Sequence, residues 1–222
     1  MPSRKVPLAT GEIYHVFNRG IDRRPTFTDK REYQRAILAI KFYRFVKPPL
    51  KLSRLLSLTN DESVNILQSL GKGRLLVEII SFCLMPNHYH FLLRQKTERG
   101  ISQFISQLQN SYTRYFNTKN ERIGPLFLDQ FKTVRIESDE QLLHVSRYIH
   151  LHPYSSFVTK GLEDLIIYPW SSFPEYLQRQ EGFCDKDEVL SFFKSSELYK
   201  KFVLDQADYQ RKLDQIKHLT ID

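Results

Sequence analysis

Met85-Pro86-Asn87-His88-Tyr89-His90-Phe91-Leu92-Leu93 is the stretch on which the fold and chemistry of this chain turn. Side chains alternate along a strand, so His88 and His90 share one face while Tyr89 points to the other. Phe91, Leu92 and Leu93 follow the pair, and Val77, Ile79, Ile80, Phe82 and Leu84 precede it, which gives β-strand character on both sides. Pro86-Asn87 between them is turn chemistry. Residues 74–84 and 88–94 are therefore expected to form an antiparallel pair, with two imidazoles opening the second strand. Two imidazoles on one face are a bidentate start for a divalent metal. Two half-buried histidines bonded to backbone carbonyls would give the same pattern. The metal reading therefore needs a third ligand and a nucleophile elsewhere in the chain.

Working outward, residues 13–18 (Ile-Tyr-His-Val-Phe-Asn) read as a first strand, followed by a turn around Gly20. Asp29 is the expected N-cap of a helix running to about residue 46, with Tyr33, Ile37 and Ile40 at helical spacing, before Pro48-Pro49. Residues 50–70 read as a helical insert closed by Gly71 and Gly73. Residues 101–118 are an amphipathic helix with Ile101, Phe104, Ile105, Leu108, Tyr112, Tyr115 and Phe116 on one side. Residues 132–137 alternate as a fourth strand. Ser138-Asp-Glu-Gln141 then has the form of a capping box, opening a helix expected to stop at Pro153. The order strand, helix, strand, strand, helix, strand, helix is that of an α+β, ferredoxin-like βαββαβ sandwich with one added helix. A domain over residues 1–159, with its insert at about 48–72, and a helical C-terminal extension over 160–222 complete the expected organisation.

Composition narrows the class. A chain of 222 residues with 41% hydrophobic and 13% aromatic residues can bury a core. Cys83 and Cys184 form neither a disulfide framework nor a Cys-x-x-Cys metal spacing, so a reducing cytoplasm is the expected setting. The start, Met-Pro-Ser-Arg-Lys-Val-Pro, has no apolar core of a signal peptide, and no run approaches the ~18 apolar residues of a membrane helix. The net charge of +8 is uneven. Residues 1–54 hold 13 Lys/Arg against 4 Asp/Glu, residues 55–160 hold 12 against 9, and residues 161–222 hold 8 against 12. Positive field at the N-terminal end suits a surface that tracks phosphates; a solvated helix face would carry the same residues.

The segment Asp139-Glu-Gln-Leu-Leu-His-Val-Ser-Arg-Tyr-Ile-His-Leu-His-Pro153 supplies what the histidine pair lacks. Leu142, Val145 and Ile149 are its expected buried stripe. Tyr148 and His152 stand one turn apart on the same helical face, with roughly 6 Å between Cβ atoms. If this helix packs beside the strand of His88 and His90, one metal could meet a third imidazole and a tyrosine hydroxyl. A half-buried aromatic and a cation at a helix C-terminus would look alike in sequence.

These motifs together resemble the single-tyrosine HUH transposases, in particular their REP-associated tyrosine transposase-like branch. His88-Tyr89-His90 is similar to the His-hydrophobic-His signature, and Tyr14-His15-Val16-Phe17-Asn18-Arg19-Gly20 to the family's opening strand. Ser111-Tyr112-Thr-Arg-Tyr115-Phe116-Asn117, Gly124-Pro-Leu-Phe127, Arg147-Tyr148-Ile-His-Leu-His-Pro153 and Trp170-Ser171-Ser172 resemble further ordered motifs. The resemblance implies metal ligands at His88 and His90, a nucleophile at Tyr148 and a divalent cofactor, Mg²⁺ or Mn²⁺. The family usually has Asn or Gln four residues after the tyrosine; here that place is His152, a competent third ligand that favours Mn²⁺ or softer ions. At residues 128–131, where the family commonly has Gly-Arg before an aromatic, this chain has Leu-Asp-Gln-Phe, and Lys132 is the nearest cation.

The implied activity is nicking and joining of single-stranded DNA, hairpin-forming sequences included, through a 5′-phosphotyrosine, as in DNA transposition. Arg19, Arg23, Arg24 and Lys132 are candidate DNA contacts, His15 and His144 candidate supports of the site, and Phe17 and Phe27 candidate stacking partners. Tyr112 and Tyr115 are alternative nucleophiles by residue type. A homodimer with shared sites and a monomer both occur in the family. Two other functions share the residues: a metal-dependent nuclease that uses water, and a catalytically silent nucleic-acid-binding protein.

Overall fold

A computed structural model describes residues 8–219 of the chain, with side chains to residue 213. Arg4 and Lys5 of the basic N-terminal third lie outside the described residues. In chain order the strands are β1 (Ile13–Arg19), β2 (Val77–Met85), β3 (His88–Gln95) and β4 (Lys132–Arg135). The helices before β4 are α1 (Lys30–Tyr43), α2 (Leu52–Leu55), α3 (Asn60–Gly71) and α4 (Gly100–Lys119). After it come α5 (Asp139–Ser155), α6 (Leu162–Ile166), α7 (Phe173–Tyr176), α8 (Asp187–Leu190), α9 (Ser196–Leu204) and α10 (Ala207–Leu219).

The four strands form one antiparallel sheet in the order β2-β3-β1-β4, the expected ferredoxin-like topology. β3 is central: His88 pairs with Arg19 and Met85, and His90 with Phe17 and Cys83. The alternation of β3 then sorts two cores. Tyr89, Phe91 and Leu93 join Tyr14 and Val16 beneath α1 and α4, packing on Ala36, Ile40, Phe104 and Ile105. Leu92 joins Ile13, Ile80 and Cys83 on the opposite face, against Leu142, Ile149 and Leu151 of α5. Truncation of a ring such as Phe91, which has no exposed surface, to Ala costs about 3–5 kcal/mol.

The C-terminal helices complete the α5 face, with Phe173, Tyr176, Tyr199 and Val203 in the same core as Ile80 and Leu92. Trp170 and Ser172 hydrogen-bond the outer edge of β2: Leu84 N–H donates to the Trp170 carbonyl (2.8 Å) and Ser172 N–H to the Phe82 carbonyl (3.0 Å). Pairing covers an edge that would otherwise stay open.

Three local expectations are corrected. The first helix, capped as expected by Asp29 accepting from Glu32 N–H (2.9 Å), ends at Tyr43 rather than near residue 46. Phe45 instead pairs with Leu75, and the Arg44 carbonyl accepts from Leu76 N–H at 2.7 Å, so extended pairing buries Phe45 where a further helical turn would not. The Ser138 hydroxyl caps α5 from Gln141 N–H, but the Gln141 side chain returns to Glu137 N–H (2.8 Å), one residue before the cap. Pro153 does not stop α5, which continues to Ser155. A proline near a helix end removes only its own N–H bond, and Ser156 N–H closes the last turn on the His152 carbonyl (3.0 Å).

Candidate functional site

His88, His90 and His152 come together. One ring nitrogen from each lies within 4.8 Å of the others. The first two share the α5 face of β3 by the two-residue period. His152 arrives from α5, which packs against β2 and β3. The Nε2 atoms of His88 and His152 are 2.7 Å apart. Tyr148, one turn earlier on α5, lies with its ring centroid 5.5 Å from that of His90 and 5.1 Å from that of His152.

Neighbouring groups orient two of the imidazoles. His88 Nδ1 bonds Asn87 Oδ1 at 2.6 Å, a contact in which the ring nitrogen donates, and this leaves Nε2 directed at His152. His90 Nδ1 is 2.9 Å from His15 Nε2 across the β1–β3 pair. For His90 to offer Nε2 as a ligand, its Nδ1–H must donate to His15, which then fixes both tautomer and ring plane. Phe17 stacks on His90 with centroids 5.6 Å apart.

Burial keeps these rings neutral. Loss of hydration lowers His15 to about 4 and, with help from Arg19, lowers His88 to about 4. His90 is pushed well below its ordinary value by burial and then by the neighbouring histidines. Neutral imidazoles are the ligand-competent form. The donor set fits a divalent ion: three convergent imidazoles without a carboxylate, the chemistry of Mn²⁺ and softer ions more than of Mg²⁺.

The cluster forms one wall of a cleft of about 730 Å³. Arg19, Arg23 and Lys132 line it, with Asn18, Leu128 and Gln130, and no Asp or Glu does so among the described residues. The segment that departs from the family pattern at 128–131 is thus a cleft wall, and Lys132 supplies its cation. Arg24 is not brought to the wall; it bonds the Ile21 carbonyl and Asp22. His144 is exposed and bonds Arg147 (2.6 Å), away from the three imidazoles. Tyr112 is buried under α1 with its hydroxyl on the Thr26 carbonyl, and Tyr115 faces the opposite layer, so neither reaches the cleft. Phe27 is core.

Sequence reasoning missed three residues here. Asn87 read only as a turn residue, although it orients His88. Ser156, whose Oγ is 3.5 Å from His152 Nε2, and Gln130 gave no signal, because strand and helix periodicity says nothing about loop residues.

Residues 58–152, the segment holding both β3 histidines, Tyr148 and His152, match the family model of IS200-like transposases. The fold is similar to that of a REP-associated tyrosine transposase solved bound to a REP hairpin. The TM-score is 0.51 at 15% identity, over 81% of this chain and 87% of that one. Comparison with curated proteins by sequence finds no match. The strand that carries His88 and His90 and the stretch of α5 that carries Tyr148 and His152 both fall within the matched segment. Over residues 58–152 the chain is similar to the IS200-like transposases, and its fold is similar to that of a REP-associated tyrosine transposase.

Proposed function

We propose that this protein nicks and rejoins single-stranded DNA through Tyr148, with a divalent metal held by His88, His90 and His152. The observation that carries the reading is convergence: three imidazoles and one tyrosine meet in a cleft with a cationic rim and, among the described residues, no carboxylate. When bound there, a divalent ion would polarise a phosphate oxygen and favour the charge that develops on it.

The protein's own residues do the rest. Arg19, Arg23 and Lys132 hold the flanking phosphates and fix the strand's register. Tyr148 Oη attacks the scissile phosphorus and gives its proton to water in the cleft. The bond from phosphorus to the 3′ oxygen breaks, and that oxygen leaves as a hydroxyl by taking a proton. The products are a 5′-phosphotyrosine and a free 3′-OH; attack by that hydroxyl or another reverses or transfers the link without an external energy source. Asn87 and His15 keep the His88 and His90 rings turned toward the metal position. The helix α5 holds nucleophile and ligand at fixed spacing, which supplies the proximity a weak phenol nucleophile needs.

The test incubates the protein and Mn²⁺ or Mg²⁺ with labelled single strands, hairpins included, and resolves the products on a denaturing gel. The expected result is a protein–DNA adduct that disappears in Tyr148→Phe and with EDTA. Cleavage without an adduct would transfer the reaction to water. Binding with neither product would leave a silent DNA-binding protein.

A further inference from the structure

A second groove, of about 1030 Å³, lies on the other side of the sheet from the catalytic cleft, between α1, α4 and the segment just after Pro48. Its walls carry Arg35, Lys51 and Arg114 and no Asp or Glu among the described residues. Lys119 also reaches it but is already engaged by Asp29 and Glu32. Cations with no facing carboxylate repel one another unless a polyanion joins them.

Two features distinguish this groove from an ordinary solvated helix face. The buried Nε of Arg35 and the buried Oε1 of Gln107 have no hydrogen-bond partner among the described residues. Such groups are costly when left unbonded. Arg35 also lies 5.3 Å from the Tyr115 ring centroid, forming an extended π and cationic surface. The remaining wall is apolar, with Leu50 and Leu56. Cations suit phosphates, while a flat aromatic and apolar wall with free amide hydrogen-bonding groups suits exposed bases. A duplex hides its bases, so a single strand satisfies both halves of the surface.

We propose that this groove is a second binding site for single-stranded DNA, which holds the strand flanking the segment bound in the catalytic cleft. Arg35, Lys51 and Arg114 take its phosphates, and the Tyr115–Arg35 surface takes a base. The reading rests on single-stranded DNA as the substrate only for the identity of the strand; occupancy of the groove is measurable without catalysis.

The experiment is fluorescence anisotropy of the full chain with labelled oligothymidines, one short enough to fill only the catalytic cleft and one several times longer, across a salt series. Lys51 and Arg114 are both exposed, so Lys51→Gln with Arg114→Gln is expected to keep the fold, checked by circular dichroism and by unchanged metal binding. The double variant is expected to bind the long strand about tenfold more weakly at low salt, with a salt slope smaller by about 1.4, or about 0.7 for each lost phosphate contact. Binding of the short strand is expected to stay as in wild type. Unchanged affinity and slope for the long strand would overturn the proposal, as would an equal loss for both lengths. His88→Ala separates this site from the catalytic one: it removes the adduct and leaves the long-strand slope intact. If wild type forms no adduct yet the double variant still loses the slope, the catalytic reading fails and the groove stands.

Discussion

His152 and His150 stand two residues apart on α5 and live in opposite environments. His152 faces the cleft, with Nε2 2.7 Å from His88 Nε2. His150 faces the packed side, where Nδ1 meets the Tyr199 hydroxyl and Nε2 meets Ser172 Oγ, each at 2.7 Å. That side is fully bonded: Tyr199 also bonds Ser146, and Ser172 also reaches the Phe82 backbone. Burial lowers His150 to about 3, so it stays neutral and structural. His144, two turns before His152, is in solvent. One residue type on one helix thus serves as candidate ligand, internal brace and surface group. What differs is which partner each ring meets.

The largest effect expected from breaking this comparison is at the cleft. His88→Ala should lower metal affinity by more than about 100-fold, beyond the range for losing an outer partner of a metal ligand, and should abolish adduct formation. The melting temperature without metal should change little. Calorimetric titration with Mn²⁺ and a thermal melt check both halves.

His150→Ala should do the reverse. It strands the Tyr199 and Ser172 hydroxyls in a buried network and should cost about 3 kcal/mol, a fall of roughly 6–12 °C in melting temperature. Mn²⁺ affinity of the folded protein should remain within a few fold. A variant that melts normally but loses metal would move His150 into the site.

His15→Ala should lower Mn²⁺ affinity by about 10–100-fold through the free rotation and tautomer exchange it allows His90. His15→Gln, which restores an acceptor, should recover part of the loss. No change in affinity would reduce the His15–His90 contact to packing.

Smaller still is the pH response of the metal-free protein. His15 and His88 titrate near 4 and His150 near 3 when folded, against about 6.5 when unfolded. The unfolded chain therefore binds more protons between these values. Stability should be steady above about pH 7, fall as pH drops through 6.5, and keep falling until His150, the lowest of these rings, titrates near 3. Melts across that range should show a shallower slope in His150→Ala. His144→Ala, at an exposed ring that meets Arg147 and Glu140 of its own helix, should shift stability by less than about 0.5 kcal/mol and serves as the control.

Much of the fold was legible because periodicity is a local property. The alternation around His88-Tyr89-His90 set both faces of β3, and the stripe from Ile101 to Phe116 set the buried side of α4. The errors fell where local signals competed with distant partners. Residues 44–46 have helical neighbours but pair with residues 74–76, and Pro153 carries a helix-breaking signal inside a packed last turn. Of the candidate site, His88, His90, Tyr148 and His152 could be named from spacing and resemblance. Asn87, Gln130 and Ser156 could not, because their roles depend on where loops pass.

By itself, the sequence determined which residues share a strand face or a helix turn, since backbone geometry fixes those relations within a few residues. It also determined the uneven charge of the chain. Only the tertiary structure decided that α5 packs where it brings His152 to the strand histidines, that His15 meets His90, and that Arg35, Lys51 and Arg114 surround one groove. Each of those contacts joins segments distant in the chain, and packing of the two cores on either side of the sheet brings them within reach.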